Sequence, residues 1–239
     1  MSDRFGGQVV VVAGGTGGLG RAVSLAFLDE RAAVIVTYRA QAEFDALVQG
    51  VGASASRLEG QHVDVTDEAE TRRLVEAVIA RHGRLDALIN TVGGYNGGAK
   101  VWDQDASVLD RMLALNLRSG YALSRAVVPA MLKQGHGSLV NIAAKAGVEH
   151  PAGAAAYAAS KAAALALMDS LAAEVVGTGL RVNSVLPSII DTTANRKAMP
   201  KADFAKWPKP EAIARVILFL CSEDAKVIHG ASVPVYGDR

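Results

Sequence analysis

A chain of 239 residues, half of them hydrophobic and 21% charged, can bury a sizeable core and is too apolar to stay unfolded. Twenty-five Lys and Arg against 24 Asp and Glu leave a net charge of +1, so no electrostatic footprint for nucleic acid or an anionic membrane is visible. A lone cysteine, Cys221, excludes an intrachain disulfide and suits a reducing compartment.

Along the chain, apolar runs of strand length alternate with helical patterns. Strands are predicted at Gln8–Ala13, Ala33–Thr37, Gln61–Val65, Ala87–Thr91, Gly137–Ala143, Leu180–Leu186 and Ser232–Tyr236. Helices fall between them, at Leu19–Glu30, Ala42–Val51, Glu68–His82, Ser107–Gln134, Ala154–Val176 and Pro210–Ser222. The Val9-Val-Val-Val-Ala13 run is too short for a secretory signal and leads into glycines rather than a cleavage site. The apolar stretch from Ala158 to Val176 is broken by Lys161, Asp169 and Glu174, so it reads as a buried helix and not a membrane span. A cytoplasmic protein is the expectation. Near-continuous Val/Ile/Leu strands alternating with helices predict one α/β domain over 1–239, a Rossmann-type, doubly wound parallel sheet of about seven strands. Ligand sites in such sheets lie beyond the carboxyl ends of the strands. The long irregular stretch 187–208 follows a strand and carries Met199, Phe204 and Trp207, which favours a substrate lid over a plain connection.

Gly14, Thr16, Gly17, Gly18, Leu19 and Gly20 follow the first strand and open the first helix. Glycine permits the tight turn, and the helix N-terminus offers N–H groups and positive partial charge to a phosphate. Tyr157 and Lys161 share a helix face four residues apart, where a fixed ammonium lowers a phenol pKa that is normally about 10.

The spacing Gly14-x-x-x-Gly18-x-Gly20 resembles that of the short-chain dehydrogenase/reductase family. Further along, Asp64-Val65, Asn90-Thr-Val-Gly93, Asn116 and the Tyr157/Lys161 pair resemble that family's motifs in the same order. The resemblance implies an NAD(P)-dependent oxidoreductase of small molecules, a homodimer or homotetramer with Ala154–Val176 near a subunit contact. Tyr157 would donate a proton, Lys161 would tune it and hold the nicotinamide ribose, and Asn116 would hold a water of the proton relay. Asp64, Val65, Asn90, Gly93, Pro187 and Ile190 would complete the nucleotide site. Tyr38 and Arg39 end the second strand with no acid at its tip, and Arg39 suits a 2′-phosphate, so NADP(H) is expected; Glu43 leaves NAD(H) open.

The family's fifth-strand serine aligns with Ala144, whose methyl donates no hydrogen bond. A substrate needing little polarisation, a substitute donor such as Lys145, Asn96 or Tyr95, or nucleotide binding without turnover each accounts for it. Three segments, Val92–Gly98, Ala144–Ala146 and Asp191–Trp207, resemble quinonoid dihydropteridine reductases more narrowly. That resemblance implies a planar conjugated heterocycle as substrate, with Tyr95, Ala144, His150 and Trp207 as candidate contacts. A carbonyl or 3-oxoacyl reductase and a silent NADP(H)-binding sensor are the alternatives. Trp207 also suits a hydrophobic anchor, and His62 a structural brace. No His/Cys/Asp cluster has metal-ligand spacing.

Overall fold

The computed structural model describes residues 3–238. Strands β1 (Val9–Ala13), β2 (Ala33–Tyr38), β3 (Leu58–His62), β4 (Ala87–Asn90), β5 (Gly137–Ile142), β6 (Leu180–Pro187) and β7 (Ser232–Val235) form a single sheet. Their order is β3-β2-β1-β4-β5-β6-β7, and every pairing is parallel. All residues of β1 and β4 are buried, as a strand covered on both faces requires. One face carries α1 (Gly18–Asp29), α2 (Gln41–Val51) and α9 (Pro210–Cys221), which pack Phe27, Leu47 and Ile213 on Val10 and Val12. The other carries α3 (Glu68–His82), α5 (Ser119–Gln134) and α7 (Ala155–Glu174), which pack Leu74, Leu123 and Met168 on Val9 and Val11. Among the described residues no helix is long and apolar enough to cross a membrane.

The chain winds outward from β1 to β3, then returns to place β4 on the other side of β1. That reversal opens a crevice beyond the carboxyl ends of β1 and β4. The register aligns Ala13 with Asn90, Asn90 with Asn141 and Asn141 with Ser184, so four strand ends reach the same edge. At the opposite edge the buried Asp86 accepts from the Val9 N–H at 2.8 Å and takes a bidentate pair from Arg84 at 2.7 and 2.8 Å. Its backbone carbonyl accepts from Ser138, so one residue ties β1, β4 and β5 together.

Three expectations need correction. The third strand is Leu58–His62, not Gln61–Val65. It is an edge strand with only β2 for a partner, so its apolar alternation is weak, while Val63 and Val65 leave the sheet and bury in the core. The helix expected over Ser107–Gln134 divides into α4 (Ser107–Leu113), a π turn at Ala114–Arg118 and α5. The irregular stretch contains α8 (Thr193–Ala198), capped by the Thr192 hydroxyl accepting from the Asn195 N–H. A short α6 (Ala146–Glu149) also follows β5.

Replacing Asp86 with Ala strips β1, Arg84 and His136 of a shared acceptor. Urea denaturation should show a loss of about 2–3 kcal/mol, since Arg84 regains water at its exposed side.

Candidate active site

The glycine turn starts at Gly14, whose φ of +73° favours a residue without a side chain. Its N–H donates to Thr37 Oγ1 at 2.9 Å, and the Thr91 hydroxyl donates to the Ala13 carbonyl at 2.7 Å. Two threonines, Thr37 in β2 and Thr91 just past β4, thus hold the turn that Ala13 cannot. A Cβ on Gly20 would meet the Gly14 carbonyl, and one on Gly18 would come within 2.8 Å of Thr192 Cγ2. Helix α1 begins with Gly17 as N-cap, without a side-chain cap and without an acid in its first turn. Free N–H groups and an uncompensated dipole end suit a pyrophosphate, so the residues present fit a dinucleotide.

At the tip of β2, Arg39 pairs with Asp64 at 2.8 Å. Asp64 also accepts from the Thr66 hydroxyl at 2.7 Å and the Thr66 N–H at 3.0 Å, and these bonds, more than Arg39, hold its carboxyl below the usual range. Tyr38 stacks on Phe44 and donates to Gln41 at 2.7 Å. His62 sits edge-on to Tyr38 and shares a hydrogen bond with the Arg39 carbonyl, as a brace does. Thr16 donates to Glu43 at 2.9 Å.

A cleft of about 580 Å³ lies past the ends of β4, β5 and β6. It brings together Gly93, Tyr95, Ala144, Tyr157 and Lys161, with Leu19, Pro187 and Ile190 on the nucleotide side. Met199, from the stretch expected to form a lid, also lines it, as does Asn195, to which sequence reasoning gave no role of its own. The signal for Asn195 was the Thr192-x-x-Asn195 cap pattern in the stretch that follows β6.

Lys161 is 5% exposed; its ammonium donates to the Ile142 carbonyl at 2.8 Å. Burial pulls it down to about 8, while the carbonyl works in the opposite sense. Gly93 makes room for this arrangement, because a Cβ there would lie 2.8 Å from Asn116 Oδ1 and 3.1 Å from Lys161 Nζ. Asn116 stands in the π turn; its Oδ1 accepts from Gly94 at 2.9 Å and its Nδ2 donates to Gly94 at 3.0 Å and Ser160 at 2.9 Å. Ser160 in turn donates to the Tyr157 carbonyl at 2.7 Å.

The Tyr157 phenol departs from expectation. Burial beside Val108, Met112 and Ala156 pushes it up to about 12, and Tyr95 adds to the rise. The ammonium expected to lower it is itself buried and turned to Ile142. Tyr95 meets Tyr157 edge-on, ring centroids 4.9 Å apart. Asn90 and Val65 do not line the cleft: Asn90 donates to Asn141 at 3.0 Å as a brace, and Val65 belongs to the core. Trp207 packs on Phe204 at 5.0 Å, and His150 is an exposed residue at the end of α6; neither lines the cleft.

Ala144 is 6% exposed at the cleft wall. The neighbouring hydroxyls of Thr91 and Ser188 donate to backbone carbonyls. Lys145 pairs with Glu149 at 3.2 Å and lies over Tyr236. Asn96 does not line the cleft, and Ser138 sits at the far end of β5, bonded to Leu220.

Gly20→Ala should weaken dinucleotide binding by at least about a hundredfold, since a displaced turn forfeits the close backbone approach. Fluorescence titration, with circular dichroism as the check on folding, measures it.

The short chain dehydrogenase family model matches residues 8–203. A 3-oxoacyl-[acyl-carrier-protein] reductase, FabG of Thermotoga maritima, is 31% identical over 98% of this chain and 98% of its own. Levodione reductase superposes with a TM-score of 0.91 at 28% identity, covering 97% of each chain. ElxO, solved with NADP bound, gives 0.91 at 24% identity over 96% of this chain and 97% of its own, a likeness of fold. With a matched model over most of its length and a full-length relative at this identity, the chain belongs to the short-chain dehydrogenase/reductase family.

Proposed function

We propose that the chain is an NAD(P)H-dependent reductase of a quinonoid dihydropteridine or a similar planar conjugated heterocycle, with NADP(H) preferred through Arg39. The observation that carries this reading is the wall beside Tyr157: Ala144 presents a methyl, and the Thr91 and Ser188 hydroxyls are engaged with backbone. A ketone meets no hydroxyl clamp there. An electron-poor conjugated ring needs less polarisation, and positioning supplies much of its barrier reduction. Tyr95 and the Gly93–Gly94 backbone offer flat surfaces for it.

Bound NAD(P)H supplies the hydride. The Tyr157 phenol is protonated in the neutral range, the form a proton donor needs, although burial makes it a weaker acid. Lys161 holds the nucleotide ribose and keeps positive charge beneath the acceptor; Asn116 fixes Gly94 and the first turns of α7 through Ser160. A second copy on the groove between α5 and α7, which exposes Tyr121, fits the dimer or tetramer expected of the family.

A carbonyl or 3-oxoacyl reductase is the second reading, favoured by the full-length relationship to the Thermotoga enzyme. Tyr95 would then replace the missing donor. NADPH oxidation with freshly generated quinonoid dihydropterin beside a ketone panel separates the two. Pterin turnover is expected; vigorous ketone turnover without it rejects the first reading. Ala144→Ser should raise ketone reduction by about tenfold or more, since one such donor contributes about 10²–10³, and barely alter pterin reduction. Tyr157→Phe should abolish ketone turnover and spare part of pterin turnover.

The pH profile has a definite sign. Lys161 is lowered to about 8, so its charge is lost as pH rises through that value, whereas Tyr157 at about 12 adds no limb below it. Reductive kcat/KM should be level near neutrality and fall about tenfold per pH unit on the alkaline side. A descending limb near pH 6 would contradict this assignment.

A further inference from the structure

The short helix α6 carries a polar pair that the proton and hydride steps leave unused. Lys145, just before the helix, and Glu149, at its end, both line the cleft and pair across one turn at 3.2 Å. The pair sits on a fixed base. The Lys145 N–H donates to the Pro187 carbonyl at 2.8 Å, which ties it to the end of β6, and the Glu149 N–H donates to the Lys145 carbonyl at 3.0 Å. Gly147 lets α6 press directly onto α7: a Cβ there would come 3.1 Å from the Lys161 carbonyl carbon and 3.2 Å from the Ala162 nitrogen. The Lys145 ammonium also lies over the Tyr236 ring, 5.2 Å from its centroid. A solvated i,i+4 pair needs none of this support, and contributes little to stability where water reaches it.

We infer that Lys145 and Glu149 are specificity-determining residues that read one edge of the substrate ring: the ammonium donates to a ring carbonyl, and the carboxylate accepts from the adjacent ring N–H and exocyclic amino group, which selects a 2-amino-4-oxopyrimidine edge. A lysine ammonium only donates and an ionised carboxylate only accepts. Side by side they complement an acceptor next to a donor, and the two carboxylate oxygens match two parallel N–H groups. A ring with a second carbonyl in place of the amino group sets an oxygen against Glu149, and that repulsion opposes it. A simple ketone has no such edge. The Lys145 side chain is 29% exposed and that of Glu149 50%, so water competes and the selectivity is of moderate size.

The inference rests on the proposed reduction of a planar heterocycle, and binding alone tests the two separately. Pterin carries the amino-lactam edge; lumazine carries the second carbonyl on the same bicyclic ring. Both fluoresce, so quenching titration on the full chain with saturating NADP+ gives their affinity ratio without turnover. The parent should bind pterin about tenfold more tightly than lumazine. Glu149→Gln removes the charge and offers an amide that turns either way, so the ratio should fall close to one. Lys145→Met removes the donor that both rings use, so it should weaken both and leave most of the ratio; circular dichroism checks the folding of each variant. Equal affinities in the parent, an unchanged ratio in Glu149→Gln, or undiminished binding of both rings by Lys145→Met overturns the inference and leaves the heterocycle reading standing. Binding of neither ring by the parent overturns that reading and this inference with it.

Discussion

A buried ammonium sets the terms for the whole cleft. Lys161 lies almost wholly inside the protein with the Ile142 carbonyl as its hydrogen-bond acceptor. Charge withdrawn from water is costly unless it is met by fixed dipoles or a partner. The surrounding chain is arranged around that need. β5 ends where its last carbonyl faces the ammonium, and Gly93 leaves space beside it. Asn116 holds the next residue, Gly94, by both backbone groups. The same low-dielectric setting keeps Tyr157 protonated, so the lysine and the phenol express one environment through opposite shifts.

The cleft wall at Ala144 follows a similar logic. Ala144 closes the wall without a polar atom, and the hydroxyls nearby are turned to backbone carbonyls. Other polar groups at the cleft enter from elsewhere: Tyr95 from the loop after β4, Tyr157 from α7 and Lys145 from just before α6. Tyr95 is 67% exposed yet leans on the Tyr157 ring, which joins the mouth of the cleft to its floor. The strand ends beneath this wall keep their parallel register.

Much of the architecture was legible because the buried strands advertise themselves. Val9–Ala13 has no polar residue, and Glu68–His82 carries its Asp67 cap and terminal Gly83 in plain view. The glycine turn could be read from spacing, since only residues without a side chain fit that approach. Other features depend on partners distant in sequence. Leu58–His62 has one buried apolar residue and gains its identity from pairing with β2. Asn90 resembles a ligand-binding residue in the linear text, yet its amide finds Asn141, 51 positions later. The sign of the Tyr157 shift was misread for the same reason: spacing shows the lysine four residues on, but not the apolar shell from Val108 and Met112.

The π turn at Ala114–Arg118 changes what a single rod of chain can face. One extra residue in a turn rotates everything after it by about 100° around the axis. Before the turn, Val108 and Met112 point their stripe at Ala156 and Tyr157. After it, Leu123, Val127 and Met131 aim theirs at the sheet. An uninterrupted spiral would keep one azimuth and could not serve both neighbours. The wide loop of backbone between them, with Asn116 at its centre, acts as a gear tooth that sets the phase between fold and cleft.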